Sequence, residues 1–126
     1  MSIQNAHMLG GFLQRVTEPK GGGVSPSRVS GALKMSVADL SRVTRLHRNT
    51  LTRTPGSPSV QARVGEIARI VAQAAEIIGD DGRAAVWFRH QPLAGFDGRT
   101  AEELVAAGRG EAVLKHLDTL VDGGYA

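Results

Sequence analysis

The sequence predicts an all-α fold with a helix-turn-helix-containing N-terminal part, a long connecting helix and a compact helical C-terminal part. Apolar residues recur along the 126-residue chain at the three- and four-residue steps of helices. Ser, Thr or Asp precedes several of these runs, and glycine follows several of them. The single strand-like run, AVWF at residues 85–88, has no second run with which it could pair.

Composition and charge limit the possible classes of protein. The chain is 41% hydrophobic and 21% charged, as in ordinary globular domains. It has no cysteine, which excludes a disulfide framework and a thiol nucleophile, and it has no membrane-spanning run or signal-peptide pattern. We therefore expect a cytoplasmic protein without a membrane partner. Residues 1–55 carry a net charge of +6 and residues 56–126 carry −3. The basic half suits a phosphate backbone, and the acidic half is free for another partner.

Residues 1–24 are predicted to form a flexible N-terminal arm. A short amphipathic stretch is closed by Glu18 and Pro19, and three glycines follow, as in a hinge. An arm that orders against a partner and a frayed terminus are both open interpretations.

Residues 25–56 predict three short helices, with the second and third joined by a tight turn at residues 44–46. Ser25 with Pro26 begins the first helix, Ser36 begins the second, and the third begins at His47. Two short helices joined in this way indicate a helix-turn-helix, whose second helix enters the major groove of DNA. Arg45 is a departure, because this turn usually contains glycine.

The third helix carries side chains that read bases and contact phosphates. Arg pairs with guanine, Asn bridges adenine, and Thr reaches phosphate or a thymine methyl group. A solvated helical face is the alternative interpretation. The predicted DNA-binding residues are Arg45, His47, Arg48, Asn49, Thr50, Thr52 and Arg53.

Residues 57–79 predict a long connecting and dimerisation helix. Ser57 with Pro58 opens it, and Gly79 closes it. Ile70 and Ile77 widen its apolar stripe, so the helix is expected to pack on two sides, and we expect a homodimer. One face carries the strongest helical spacing in the chain, at Val60, Val64, Ile67, Val71, Ala74 and Ile78.

Residues 80–126 predict three further helices. Asp80 and Asp81 cap the first, and Thr100 with Glu103 forms a capping box for the second. Gly108 and Gly110 separate the second helix from the last. The predicted buried side of the last helix consists of Val113, Leu114, Leu117, Leu120 and Val121.

Motifs for catalysis are missing from the sequence. The four histidines have no metal-ligand spacing, and no phosphate loop or nucleophile elbow is present. The acidic pairs Asp80–Asp81 and Glu102–Glu103 stand where helix starts favour negative charge. We expect no enzymatic activity, no catalytic residue, no cofactor and no metal site.

The chain from Arg83 to Ala126 carries a further set of motifs. It combines Trp87 at a helix end, a Pro-Leu-x-Gly loop at residues 92–95, Gly-Arg-Thr at residues 98–100 with Glu-Leu following, and a Gly-x-Tyr-Ala-like tail. This set resembles the toxin-binding domain of the Xre/MbcA/ParS antitoxins, the partners of RES-domain toxins. With the helix-turn-helix and the long helix, the resemblance extends over most of residues 25–126. Ala101 stands where such antitoxins commonly have Pro.

The resemblance implies an antitoxin of a type II toxin-antitoxin pair. Its toxin-binding domain would cover residues 80–126 and sterically block the NAD-using active site of a RES-domain toxin. Its helix-turn-helix would bind the promoter DNA of its own operon and repress it. A plain helix-turn-helix transcriptional regulator without a toxin partner is the alternative. The predicted toxin-binding residues are Arg89, Pro92, Arg99, Gly123, Gly124, Tyr125 and Ala126.

Overall fold

The computed structural model describes residues 11–123, and this part of the chain is all-α, as predicted. It contains eight helices and no strand beyond two isolated bridges, Thr17 to Val24 and Pro92 to Thr100. The run at residues 85–88 is helical. The helices are α1 (residues 11–16), α2 (Pro26–Leu33), α3 (Val37–Thr44), α4 (Arg48–Arg53), α5 (Pro58–Ile78), α6 (Asp81–His90), α7 (Ala101–Ala106) and α8 (Gly110–Gly123).

The helix starts follow the predicted caps. In five helices the capping side chain accepts a hydrogen bond from the backbone N–H three residues further on, which satisfies one otherwise unpaired donor and contributes about 1 kcal/mol. Thr100 and Glu103 form the complete capping box. These caps are Ser25, Ser36, Ser57, Asp80 and Thr100.

Helix α5 is the centre of the core. It packs against α6 and α8, while α7 packs against α3, α6 and α8. The predicted inner face is buried except at its end, where Ile78 is half-buried. Val60, Val64, Ile67 and Val71 are each 0% exposed. Ile70 is also 0% exposed, so the chain itself covers this residue. Ile77 is 41% exposed and remains on the surface.

The helix-turn-helix part and the C-terminal part share one core. Helix α2 packs against α6 and helix α3 against α7. Buried residues from α1 to α8 form a single hydrophobic cluster. The described residues of the predicted segments 25–56, 57–79 and 80–126 therefore form one packed unit in this structure.

The prediction of a flexible arm is wrong for residues 11–24. Phe12 and Val16 are 2% and 1% exposed, because the apolar face of α1 packs into the core of the chain itself. Gln61 of α5 holds Val24 by two hydrogen bonds, from the Val24 N–H to Oε1 at 2.9 Å and from Nε2 to the Val24 carbonyl at 2.8 Å. Gly23 has φ +82 and lies so close to Gln61 that a Cβ atom would clash. Residues 1–10 lie outside the described part.

The end of α8 also differs from its prediction. Val113 and Leu117 are buried, but Leu120 and Val121 are 44% and 50% exposed. The apolar spacing continues to the end of the helix, but no part of residues 11–119 packs closely enough on the last turn to bury these two side chains. The exposed pair is therefore apolar surface.

Candidate functional site

Helices α3 and α4 form the predicted pair of short helices. Helix α3 ends at Thr44, and its C-cap, Arg45, adopts the left-handed conformation with φ 58 and ψ 34. This conformation costs a residue with a Cβ about 1 kcal/mol, which explains why glycine is usual there. Bonds around the turn hold it: the Arg45 and Leu46 N–H groups both reach the Ser41 carbonyl, and Arg63 of α5 donates to the Thr44 carbonyl at 2.9 Å.

Helix α4 presents a polar face to solvent. Leu51 points into the core and is 2% exposed. Arg48, Asn49, Thr52 and Arg53 are exposed, and steps of one and four residues place them on one side of the helix. Thr50 is half-buried beside them. Five of the seven predicted DNA-binding residues therefore belong to one short helix.

The other two predicted DNA-binding residues, Arg45 and His47, make contacts within the protein. His47 caps α4, because its Nδ1 accepts a hydrogen bond from the Asn49 N–H at 3.1 Å. The Arg45 side chain extends away from α4, and its Nη1 lies 3.2 Å from the place that a Cβ atom on Gly108 would take. Arg45 therefore lies against the end of α7 instead of joining the exposed face of α4.

The exposed face of α4 is cationic and unpaired in the described structure. Neither Arg48 nor Arg53 forms an ion pair with any residue between 11 and 123. Thr52 is exposed, and it donates its hydroxyl to carbonyls of its own helix. An arginine without a protein partner is free to bind an anionic backbone or a base edge.

The C-terminal motif forms a closed loop between α6 and α7. The Leu93 N–H bonds to the Arg99 carbonyl at 2.9 Å, and the Arg99 N–H bonds to the Phe96 carbonyl at 3.0 Å. Leu93 is 4% exposed and anchors the loop in the core, while Pro92 and Arg99 are exposed. The loop thus presents two of the predicted toxin-binding residues on the surface.

Phe96 ties this loop to the last helix. Its ring meets the ring of His116 edge-on, with centroids 5.7 Å apart. The Arg109 guanidinium lies 5.6 Å from the centre of the same ring. An aromatic pair and a cation–π contact of this kind stabilise a loop without burying it completely. This cluster was not predicted from the sequence, in which its members lie as far as 20 residues apart.

Arg89, another predicted toxin-binding residue, lies within an intramolecular network. Its Nε bonds to Glu102 at 2.8 Å, its Nη1 donates to the Lys34 carbonyl at 2.8 Å, and its Nη2 lies 3.5 Å from Asp39. Arg42 lies 3.6 Å from both carboxylates. The network joins α3, α6 and α7 to the end of α2, so Arg89 connects the helix-turn-helix to the C-terminal part.

Two carboxylates of this network differ in their surroundings. Glu102 is 8% exposed, although its place in the sequence indicated only an acidic helix start. Burial of Asp39 favours a higher pKa for its carboxyl group. A hydrogen bond from the Ser36 backbone and the charges of Arg89 and Arg42 outweigh that effect and hold the pKa of Asp39 below its ordinary value of 3.8.

The remaining predicted toxin-binding residues lie at the end of the chain. Gly123 is the last residue of α8. Gly124, Tyr125 and Ala126 lie outside the described residues. Within residues 11–123, no group of three or more His, Asp or Glu side chains is arranged to hold a metal ion. In the same range no helix is both long and apolar enough to cross a membrane.

Comparison of the chain with protein-family models, with curated proteins and with solved structures gives no match.

Proposed function

We propose that this protein is a cytoplasmic antitoxin of a type II toxin-antitoxin pair. Its C-terminal part binds a RES-domain toxin and blocks the NAD-using active site of that toxin by occupying it. The helix-turn-helix binds the promoter of its own operon and represses transcription. The protein needs no cofactor and performs no chemistry in this role.

The geometry of the C-terminal loop is the observation that carries the toxin-binding half of the proposal. The motif shared with the Xre/MbcA/ParS antitoxins lies in a loop closed by backbone hydrogen bonds and anchored by buried Leu93. Because the loop is held from within, little backbone conformational freedom is lost when exposed Pro92 and Arg99 meet a partner. Arg99 adds a planar cation suited to a carboxylate on the toxin.

The face of α4 supports the DNA-binding half. A helix of six residues is about 9 Å long, which is short enough to enter the major groove end-on or at an angle. Its exposed side chains combine two arginines with an Asn and a Thr, the groups that contact guanine, adenine, phosphate and the thymine methyl. A plain transcriptional regulator would use the same face, so this observation alone does not separate the two candidates.

Co-expression with a RES-domain toxin separates the antitoxin from a plain regulator. We expect the full chain to restore growth to cells that express the toxin, and we expect the Arg99→Ala variant and a chain without residues 124–126 to restore it poorly. Lys115→Ala is the matched control, because Lys115 is an exposed cation on α8 outside the motif. All variants should keep promoter binding. Full toxicity in the presence of the intact, folded chain would favour the plain regulator.

A further inference from the structure

A small polar cavity lies beside the turn of the helix-turn-helix. It has a volume of about 250 Å³, and its walls come from the end of α3, the first half of α5 and the end of α7 with the turn after it. Sites for drug-sized ligands have volumes of about 300–1,000 Å³, so this cavity is suited to one small chemical group. The charged side chains that line it are Arg45, Arg63 and Glu66.

Neither arginine at this cavity has a charged partner in the described structure. Arg45 and Arg63 are exposed, and neither forms an ion pair with any residue between 11 and 123. Arg63 donates Nη1 to the Thr44 carbonyl at 2.9 Å, which uses one of the five N–H donors of its guanidinium group. Two guanidinium groups with donors to spare are suited to hold one phosphate between them.

The backbone around the cavity makes room for the Arg45 guanidinium. Arg45 has the left-handed conformation, which glycine adopts without strain. Gly108, with φ +81, lies against the same side chain, and a Cβ atom there would be 3.2 Å from Arg45 Nη1 and 3.3 Å from Nη2. A strained residue that brings its charge to a cavity indicates a use for that charge.

Glu66 is the single acidic residue among those that line the cavity in the described structure. Its carboxylate lies against Gly110, the first residue of α8, so closely that a Cβ atom on Gly110 would clash with it. The start of a helix carries partial positive charge, which attracts this carboxylate. Two arginines and one glutamate leave the cavity with a net charge of +1.

We infer that this cavity binds a phosphate group between Arg45 and Arg63. The group belongs either to a small phosphate compound or to a DNA backbone beside the promoter site, because both carry the same oxyanion. The site is separate from the exposed face of α4, since the Arg45 side chain lies against the end of α7. The inference requires no toxin, so failure of toxin neutralisation would leave it open, and its own failure would leave toxin neutralisation open.

Calorimetric titration of the full chain with inorganic phosphate tests the site. Arg45→Gly and Arg63→Gln should each weaken phosphate binding about tenfold or more, because each removes charge-assisted hydrogen bonds. Glu66→Gln should strengthen it, because a repelling carboxylate is lost. Arg69→Gln is the matched control, since it removes the same charge from an exposed position of α5 that does not line the cavity. Arg45→Gly should keep or raise the melting temperature, because glycine relaxes the left-handed position, and lost binding would then not reflect unfolding.

Promoter binding at increasing salt concentration identifies the source of the phosphate. If the group belongs to the DNA backbone, Arg63→Gln should reduce the slope of log affinity against log salt by about 1. If it belongs to a small compound, the slope stays the same and inorganic phosphate still binds. If neither phosphate binding nor the salt slope depends on Arg45 and Arg63, the inference is overturned. Equal losses in Arg69→Gln would overturn it as well, because general attraction to a basic surface would explain them.

Discussion

At the scale of single residues, burial determines which ion pairs stabilise this protein. Arg89 and Glu102 have side-chain exposures of 19% and 10%, whereas Arg15 and Asp81 have 61% and 30%, although the closest atoms of both pairs are 2.8 Å apart. Removing one member of a buried pair leaves an uncompensated charge in a poorly solvated place. An exposed pair is replaced by water at little cost.

We therefore expect Arg89→Met to lower the free energy of unfolding by about 3 kcal/mol, and Arg15→Met to lower it by about 0.5 kcal/mol. Urea denaturation followed by circular dichroism measures both. Adding Glu102→Met to Arg89→Met should recover much of the loss, because an apolar pair leaves no buried carboxylate. Equal effects of the two single substitutions would contradict the structural role assigned to Arg89.

Two neighbouring pairs of residues at the start of α7 differ in whether the sequence predicts them. The capping pair Thr100 and Glu103 was predictable, because both partners lie within one helical turn and their spacing is fixed by the helix. The Arg89–Glu102 pair was not predictable, because it depends on how α6 and α7 pack. A single sequence with two adjacent glutamates does not say which of them enters the interior.

At the scale of elements, the local spacing of apolar residues predicted the helices well, but it predicted poorly which of their surfaces pack against other parts of the chain. The bounds of α5 and its inner face follow from apolar period and caps, which are local properties. The predictions failed where burial depends on tertiary contacts. The predicted arm contains α1, which is packed through Phe12 and Val16, and the predicted buried side of α8 includes Val121, which is on the surface. The glycines after α1 indicated a hinge, but they allow a tight return of the chain to Gln61.

Helix α4 is the element on which the DNA-binding proposal depends. We expect the double variant Arg48→Ala/Asn49→Ala to bind promoter DNA at least about tenfold more weakly, since each good base contact contributes about 1–3 kcal/mol of discrimination. Fluorescence anisotropy with the DNA upstream of the coding sequence measures this. Because both side chains are exposed, the thermal stability should not change.

Arg83→Ala is the control for that measurement. It also removes a single positive charge from an exposed helical position, on α6, and it should leave promoter affinity nearly unchanged. If Arg83→Ala and the α4 variant weaken binding equally, general electrostatic attraction would explain the affinity, and α4 would not be the reading helix.

At the scale of the whole molecule, the basic and acidic halves of the chain belong to one packed unit. Residues 1–55 carry +6 and residues 56–126 carry −3, yet α2 packs on α6 and α3 on α7. The network of Arg89 and Arg42 with Asp39 and Glu102 joins the two halves at this junction. The helices on either side of the C-terminal loop, α6 and α7, are therefore in direct contact with helices of the helix-turn-helix part.

The most direct measurement of the central claim is the NAD consumption of a purified RES-domain toxin as this protein is added. Steric blocking predicts a stable complex in which consumption falls to the background at stoichiometric protein. Removal of residues 124–126 should leave residual consumption at the same ratio, since these residues belong to the C-terminal part that is proposed to occupy the active site of the toxin. A stable complex that consumes NAD at the full rate, or the absence of any complex, would contradict the account.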